Sequence, residues 1–147
     1  MKLQVIIFVL FLVGLSSAFF PCGPSQCDRN WTCFVSGPRC FCNLGYLDRV
    51  DFNQTTVNSW KQEGVDYVQV EATVQNVGPS NLADVQVEAT EYHAYGKDIW
   101  GVEWNTNGNM HFPSYVKTLT PGEHYSFGYI AKSNEPLHLY IVSITLP

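Results

Sequence analysis

The sequence predicts an all-β protein: an antiparallel β-sandwich preceded by a small disulfide-rich segment. Three observations carry this. Apolar residues recur at every second position in several stretches between Val50 and Leu146, the period at which an extended strand turns its side chains to alternate faces. Turn-formers punctuate those stretches at Gly78-Pro79-Ser80-Asn81, Pro121-Gly122 and Asn134-Glu135-Pro136. No helical period of useful length competes with them.

The first residues read as an export address. Lys2 gives a short positive start, residues 3–15 are almost wholly apolar, and Ser16-Ser17-Ala18 places small residues at a cleavage site. The apolar run is shorter than the roughly 20 residues a bilayer span needs. Residues 1–18 are therefore predicted to be a signal peptide, leaving a secreted, extracellular chain with no membrane attachment once it is removed; a signal anchor is the weaker alternative.

Residues 19–48 hold all five cysteines, Cys22, Cys27, Cys33, Cys40 and Cys42, among Gly and Pro with few aliphatic residues. In an exported chain such cysteines pair as disulfides, and four of them can pair in three ways, which spacing does not decide. One cysteine is left over, as a thiol or as a link between chains. Zinc is a weaker reading, because Cys40-Phe41-Cys42 is a poor chelating pair and no histidine lies near it. Cys40-Phe41-Cys42-Asn43-Leu44-Gly45-Tyr46 resembles the end of an epidermal-growth-factor-like module, although the six cysteines of that module are not present. A disulfide spacer is the ordinary alternative. The segment is a candidate contact for a protein partner.

Residues 49–147 carry the sandwich. Val50, Phe52 and Val57 seed an edge strand. In the strand predicted over 65–77, Val68, Val70, Ala72 and Val74 form one phase and Gln69, Glu71, Thr73 and Gln75 the other, and Tyr67 falls in the polar phase. The next strand, over 82–93, sets Val85, Val87 and Ala89 opposite Tyr92. The two are expected to pair as a hairpin or near-hairpin. Residues 96–114, rich in Gly, Asn and Trp, suggest a short strand between loops. Tyr125, Phe127 and Tyr129 alternate with His124, Ser126 and Gly128, and Val142, Ile144 and Leu146 close the pattern.

Outward rings cost hydrophobic free energy unless something stacks on them. Trp60, Tyr67, Tyr92, Tyr95, Trp100, Trp104, Phe112 and Tyr115 are the candidates. A pyranose presents a face of C–H bonds that a flat indole or phenol can cover without matching any charge. Gln62, Gln69 and the Asn105–Asn109 stretch offer hydrogen bonds to hydroxyls. The competing explanation is that one or two tryptophans fill the core, as is common between sheets.

The order of several motifs resembles carbohydrate-binding module family 49. They are Ser59-Trp60, Gly64, Tyr67 and the Val-x-Val strand ending in Asn76; then Trp100-Gly101-Val102 and Phe112-Pro113-Ser114-Tyr115; then Leu119-x-Pro121-Gly122 and Phe127-Gly128-Tyr129-Ile130. The resemblance covers roughly Val50 to Pro147. It implies a β-sandwich that binds cellulose through planar aromatics, as in some plant family-9 endoglucanases and secreted slime-mould proteins. Carried over by position, it makes Trp60, Tyr67 and Trp100 the ring platforms, with Tyr115 where the family often has Trp.

Other functions find little support. Eight basic residues stand against thirteen acidic ones, a formal charge of −5, with no basic cluster for nucleic acid or an anionic membrane. A glycosidase needs two carboxylates facing each other across a cleft. Asp66, Glu71, Glu88, Glu91 and Glu103 have ordinary roles as solvated charge, so no enzyme is expected. His93, His111, His124 and His138 are scattered without metal-ligand spacing. No nucleophile elbow or phosphate loop occurs, and no cofactor is implied. The expected partner is a polysaccharide, cellulose or a related β-glucan. The rival is a protein-interaction domain, since Tyr and Trp also favour interfaces. A polysaccharide site calls for spaced rings on a flat face; a protein site calls for a compact apolar patch ringed by charge. Two sequons, Asn30-Trp31-Thr32 and Asn53-Gln54-Thr55, are glycan acceptors in a eukaryotic secretory pathway. Asn53 is expected near the domain junction.

Expression in a eukaryotic secretory host should release a chain whose N-terminal peptide begins at Phe19, as read by mass spectrometry. A secreted product that keeps residues 1–18 would overturn the leader.

Overall fold

The computed structural model describes residues 31–43, 48–89 and 98–147, the backbone of residues 20–22 and 25–27, and the side chain of Cys27. The expected leader lies outside the described residues. The strands are β1 (Phe20–Cys22), β2 (Ser25–Cys27), β3 (Thr32–Ser36), β4 (Arg39–Asn43), β5 (Val50–Gln62), β6 (Val65–Asn76), β7 (Asp84–Ala89), β8 (Ile99–Trp100), β9 (Glu103–Trp104), β10 (Met110–His111), β11 (His124–Ala131) and β12 (Leu139–Leu146). They form a four-stranded sheet in the order β5-β6-β11-β8, a six-stranded sheet in the order β4-β3-β12-β7-β10-β9, and a two-stranded ribbon β1-β2. Among the described residues no helix is long and apolar enough to cross a membrane.

The two larger sheets bury the apolar phases read from the sequence. Val68, Val70, Ala72 and Val74 of β6 and Phe127, Tyr129 and Ala131 of β11 meet Val85 and Val87 of β7 and Ile141 and Ile144 of β12 in one core. Each fully buried valine or isoleucine contributes about 1.5–3 kcal/mol of hydrophobic free energy. The buried Tyr129 hydroxyl donates to Gln54 Oε1 at 2.6 Å and accepts from the Leu137 amide at 3.0 Å. Gln54 Nε2 donates to the Leu137 carbonyl at 3.1 Å. This network ties the edge strand β5 to β11.

One expected pairing is corrected. The strands expected over 65–77 and 82–93 do not form a hairpin. β6 pairs with β5 and β11, whereas β7 pairs with β12 and β10 in the opposite sheet. The Gly78-Pro79-Ser80-Asn81 turn carries the chain across the sandwich, so both apolar phases face each other. Asn76, fully buried, holds that corner. Its Nδ2 donates to the carbonyls of Ser80 (2.9 Å) and Leu119 (2.8 Å), and its Oδ1 accepts from the Gly78 amide at 3.0 Å. The actual hairpin joins β5 to β6. Gln62 opposes Val65 across Glu63-Gly64, both at positive φ (51° and 81°), as the tight turn between twisted strands requires.

The cysteine segment is built into the sandwich rather than standing apart from it. β3 pairs in parallel with β12, with Cys33 opposite Ser143 and Phe34 opposite Ile144, and β4 continues the sheet antiparallel. The pairing covers a β12 edge that would otherwise present unpaired backbone, and it sends Phe34 into the main core. Cys33 and Val35 take the other phase and face outward, where β1 and β2 pack on β3 and β4. Cys27 is bonded to Cys42. Cys40 is also in a disulfide, and Cys33 Sγ lies 2.9 Å from Cys40 Sγ. Burial pushes the Cys33 thiol up, against a hydrogen bond with Ser143 that lowers it. The side chain of Cys22 lies outside the described residues.

Asn76→Ala removes three hydrogen bonds of the corner, although the Gly78 amide and the Leu119 carbonyl keep backbone partners in Arg49 and Leu82, and should cost about 2 kcal/mol, read as a lower urea midpoint at unchanged slope. A midpoint within error of the unmodified chain would remove Asn76 from this role.

Candidate functional site

The outer face of the four-stranded sheet collects the polar phase of β6 and its neighbours. Directly opposed residues share a face, so the register defines rows across the sheet. Trp60 lies beside Tyr67; Asn58, Gln69 and Ile130 form the next row; Thr55, Glu71, Gly128 and Trp100 the next; Asn53, Thr73 and Ser126 the one after. A β-bulge between Thr56 and Asn58 makes this possible. The extra residue, Val57, shifts the phase of β5, so that Asn58 and Trp60 continue the face begun by Asn53 and Thr55. Without it Trp60 would point into the core.

The rings are held differently. Trp60 and Tyr67 stack on each other, with centroids 5.5 Å apart and planes 6° from parallel. Each therefore covers one face of its neighbour and keeps the other. A trough of about 240 Å³ runs beside them, bordered by Ser59, Lys61, Asp66 and Asn134, and Lys61 pairs with Asp66 at 3.3 Å. Trp100 instead lies flat on the sheet. A Cβ placed on Gly128 would fall 2.3 Å from its Cζ2, 2.4 Å from Cε2 and 2.7 Å from Nε1. Only a glycine opposite Trp100 lets the indole rest on the backbone, and the ring remains 46% exposed. Between Trp100 and Val57 lies a second trough of about 200 Å³, floored by Gln69, Glu71, Ser126 and Gly128. Thr73 and Ser126 hydroxyls lie 2.8 Å apart beside it, so the surface between the rings is low and polar.

Tyr115, 71% exposed, has no place in the strand register of this face. Its hydroxyl lies 2.9 Å from that of Tyr125, which in turn donates to the Gly101 carbonyl at 3.0 Å. Tyr115 thus braces the turn that follows Trp100. Desolvation, then the hydrogen bond and charge of Tyr115, push the Tyr125 phenol up to about 12.

Other candidates are placed elsewhere. Phe112 is buried, packs edge-on to Tyr125 at 5.3 Å and belongs to the core, which removes it from the set of surface rings. Trp104 is exposed but sits on β9, at the edge of the other sheet. Tyr92 and Tyr95 lie outside the described residues, as does Asn30. Asn105 is occupied by its own loop: Oδ1 accepts from the amides of Asn107 and Asn109, both at 2.9 Å, and Nδ2 donates to Gln86 at 3.0 Å. Asn53 is exposed on the ring-bearing face itself. Among the described residues no group of three or more His, Cys, Asp or Glu side chains is placed to hold a metal. Reading the sequence missed Gly128, Val57 and Tyr125. For Gly128 the signal existed: the smallest residue stands in the outward phase of a strong strand.

Residues 50–133 match the carbohydrate binding domain CBM49. The match takes in more than half of the chain and runs from β5 to β11, so the chain belongs to this family. Over nearly its full length it is similar to Stalk-specific protein A of Dictyostelium discoideum, 24% identical over 155 residues and covering 98% of each chain. It is also similar to Endoglucanase 19 of Arabidopsis thaliana, 32% identical over 81 residues, which cover 55% of this chain and 12% of that protein. Among solved structures it is similar to the chitin-binding domain of Chi18aC from Streptomyces coelicolor, with 19% identity and a TM-score of 0.43, covering 63% of this chain and 90% of that one.

Gly128→Ala should leave the fold intact and drive the Trp100 indole off the sheet. Tryptophan emission should then move to longer wavelength and become easier to quench, an effect lost in a Trp100→Phe background. Unchanged emission would mean that the indole does not rest on Gly128.

Proposed function

We propose that this chain is a secreted, non-catalytic protein that binds cellulose or a related β-glucan in an extracellular matrix or wall. Trp60, Tyr67 and Trp100 stack on glucose rings, and Tyr115 holds the Trp100 turn. The observation that carries this reading is the flat indole of Trp100 over Gly128, on the same face as the Trp60–Tyr67 pair. Four residues of β6 separate the rows of Tyr67 and Trp100, about 13 Å along the strand. Spaced rings with a polar floor suit an extended chain of sugars better than one compact protein patch. Gln69, Asn58, Thr73 and Ser126 offer donors and acceptors to hydroxyls along that path. The acidic charge of the chain does not oppose a neutral ligand. That a relative matching over the module is named as an endoglucanase supports a glucan over other polysaccharides.

Each well-placed ring contributes on the order of 1 kcal/mol, so a few rings give modest, reversible adsorption that resists salt. The ribbon β1-β2 packs on the outer side of β3 and β4, in the sheet opposite the rings. A protein partner docked on this disulfide-braced side would not compete with polysaccharide.

The test is adsorption to microcrystalline cellulose in high salt, with chitin and xylan alongside. The unmodified chain should be retained on cellulose, and Trp60→Ala and Trp100→Ala should each weaken binding by about fivefold while staying folded. A folded chain that no polysaccharide retains would overturn the reading and favour a protein ligand for the same face.

A further inference from the structure

Asn53 stands on the ring-bearing face. Its partner across the β5–β6 ladder is Thr73, which shares its phase with Tyr67, Gln69 and Glu71. The row Asn53–Thr73–Ser126 runs one step from the row Thr55–Glu71–Gly128, on which the Trp100 indole rests. Rows on one face are about 7 Å apart and strands about 4.8 Å apart, which puts Asn53 on the order of 12 Å from the Gly128 position. Gln54, the middle residue of Asn53-Gln54-Thr55, points the other way and is fixed by Tyr129 and Leu137. Alternation therefore holds Asn53 and Thr55 outward, and both are exposed.

We propose that Asn53 carries an N-linked glycan that overlies this face, and that its occupancy sets how strongly the chain holds an insoluble polysaccharide. The inference rests on the binding reading above. In the transfer, Asn53 Nδ2 bonds to C1 of the first sugar of a polyprenyl-diphosphate-linked oligosaccharide. The C1–O bond to the diphosphate breaks, an amide proton is released and the polyprenyl diphosphate leaves. The product is a bulky, hydrated group rooted on the surface that must come flush against a fibre. A single soluble oligosaccharide can still reach Trp60, Tyr67 and Trp100 from beside the glycan, whereas the flat side of a fibre cannot. The chain thus exists in two forms, one with Asn53 bare that adsorbs strongly to solids and one glycosylated that adsorbs more weakly.

The test uses the full chain secreted from a eukaryotic host. Glycopeptide mass spectrometry reads occupancy at Asn53 and Asn30. Adsorption to microcrystalline cellulose and binding of soluble cellohexaose are then measured for the glycosylated chain, the same sample after endoglycosidase trimming, Asn53→Gln and Asn30→Gln. The expected result is an occupied Asn53 and cellulose adsorption at least about tenfold weaker than in the trimmed and Asn53→Gln forms, with cellohexaose binding little changed. Asn30→Gln should match the glycosylated chain. An unmodified Asn53 in the secreted product, or equal adsorption with and without its glycan, overturns the inference while leaving the binding reading in place. If neither the trimmed form nor Asn53→Gln binds cellulose or cellohexaose, the binding reading itself fails and the inference falls with it.

Discussion

The main core and the ring-bearing face both follow from the direction in which the residues of β6 point. One phase of that strand supplies Val68, Val70, Ala72 and Val74 to the core; the other supplies Tyr67, Gln69, Glu71 and Thr73 to the face beside the rings. A slip of one residue would exchange the two sets, placing an aromatic and three polar side chains inside. Three devices hold the register. The Glu63-Gly64 turn fixes one end. The buried Asn76 side chain fixes the other by gripping the corner and the Leu119 strand bridge. Between them, the Val57 bulge brings a strand of the wrong phase back into step. Core and ring-bearing face are thus two readings of one alignment, and a change that loosens the first disturbs the second.

Much of this was legible in the chain itself. Strict alternation announced β6, β7 and β11 and put Tyr67 outward, and the ordered motifs around Trp60, Trp100 and Phe127-Gly128 pointed to the family. What alternation cannot say is which strand lies next to which. β6 and β7 have the same kind of phase, and nothing local distinguishes pairing in one sheet from facing across two. Phe112 was misjudged for a related reason: it lies in a stretch with no period, where burial depends on contacts from distant elements such as Tyr125. The bulge at Val57 was hidden because Thr55-Thr56-Val57-Asn58 carries no Gly or Pro to mark it. Likewise, the spacing of five cysteines held no clue that β3 would add to β12 in parallel.

The sandwich divides its labour by side. The sheet β5-β6-β11-β8 bears spaced rings over small polar residues, while the opposite sheet bears disulfides and the ribbon β1-β2. Rigidity is unequal as well. Trp100 is pressed onto backbone and braced through Gly101, Tyr125 and Tyr115, so its indole is already ordered, and a preorganised ring of this kind has less entropy to lose in any contact. The Trp60–Tyr67 pair instead leans on itself at the end of a long hairpin.

The parallel ladder between β3 and β12 has a consequence for how the chain is made. The Thr32 hydroxyl meets the Ile141 carbonyl across 109 positions of sequence, and such distant pairing is the slow kind to assemble. On the ribosome, β3 and β4 emerge long before the strand that will shelter them. In that interval Phe34 has only Phe41 of β4 to stack on, and the nearby thiols are open to mispairing. The Cys27–Cys42 link can close without waiting for β12, because both partners are already present. It would keep the early segment compact until synthesis delivers the strand that completes the sheet.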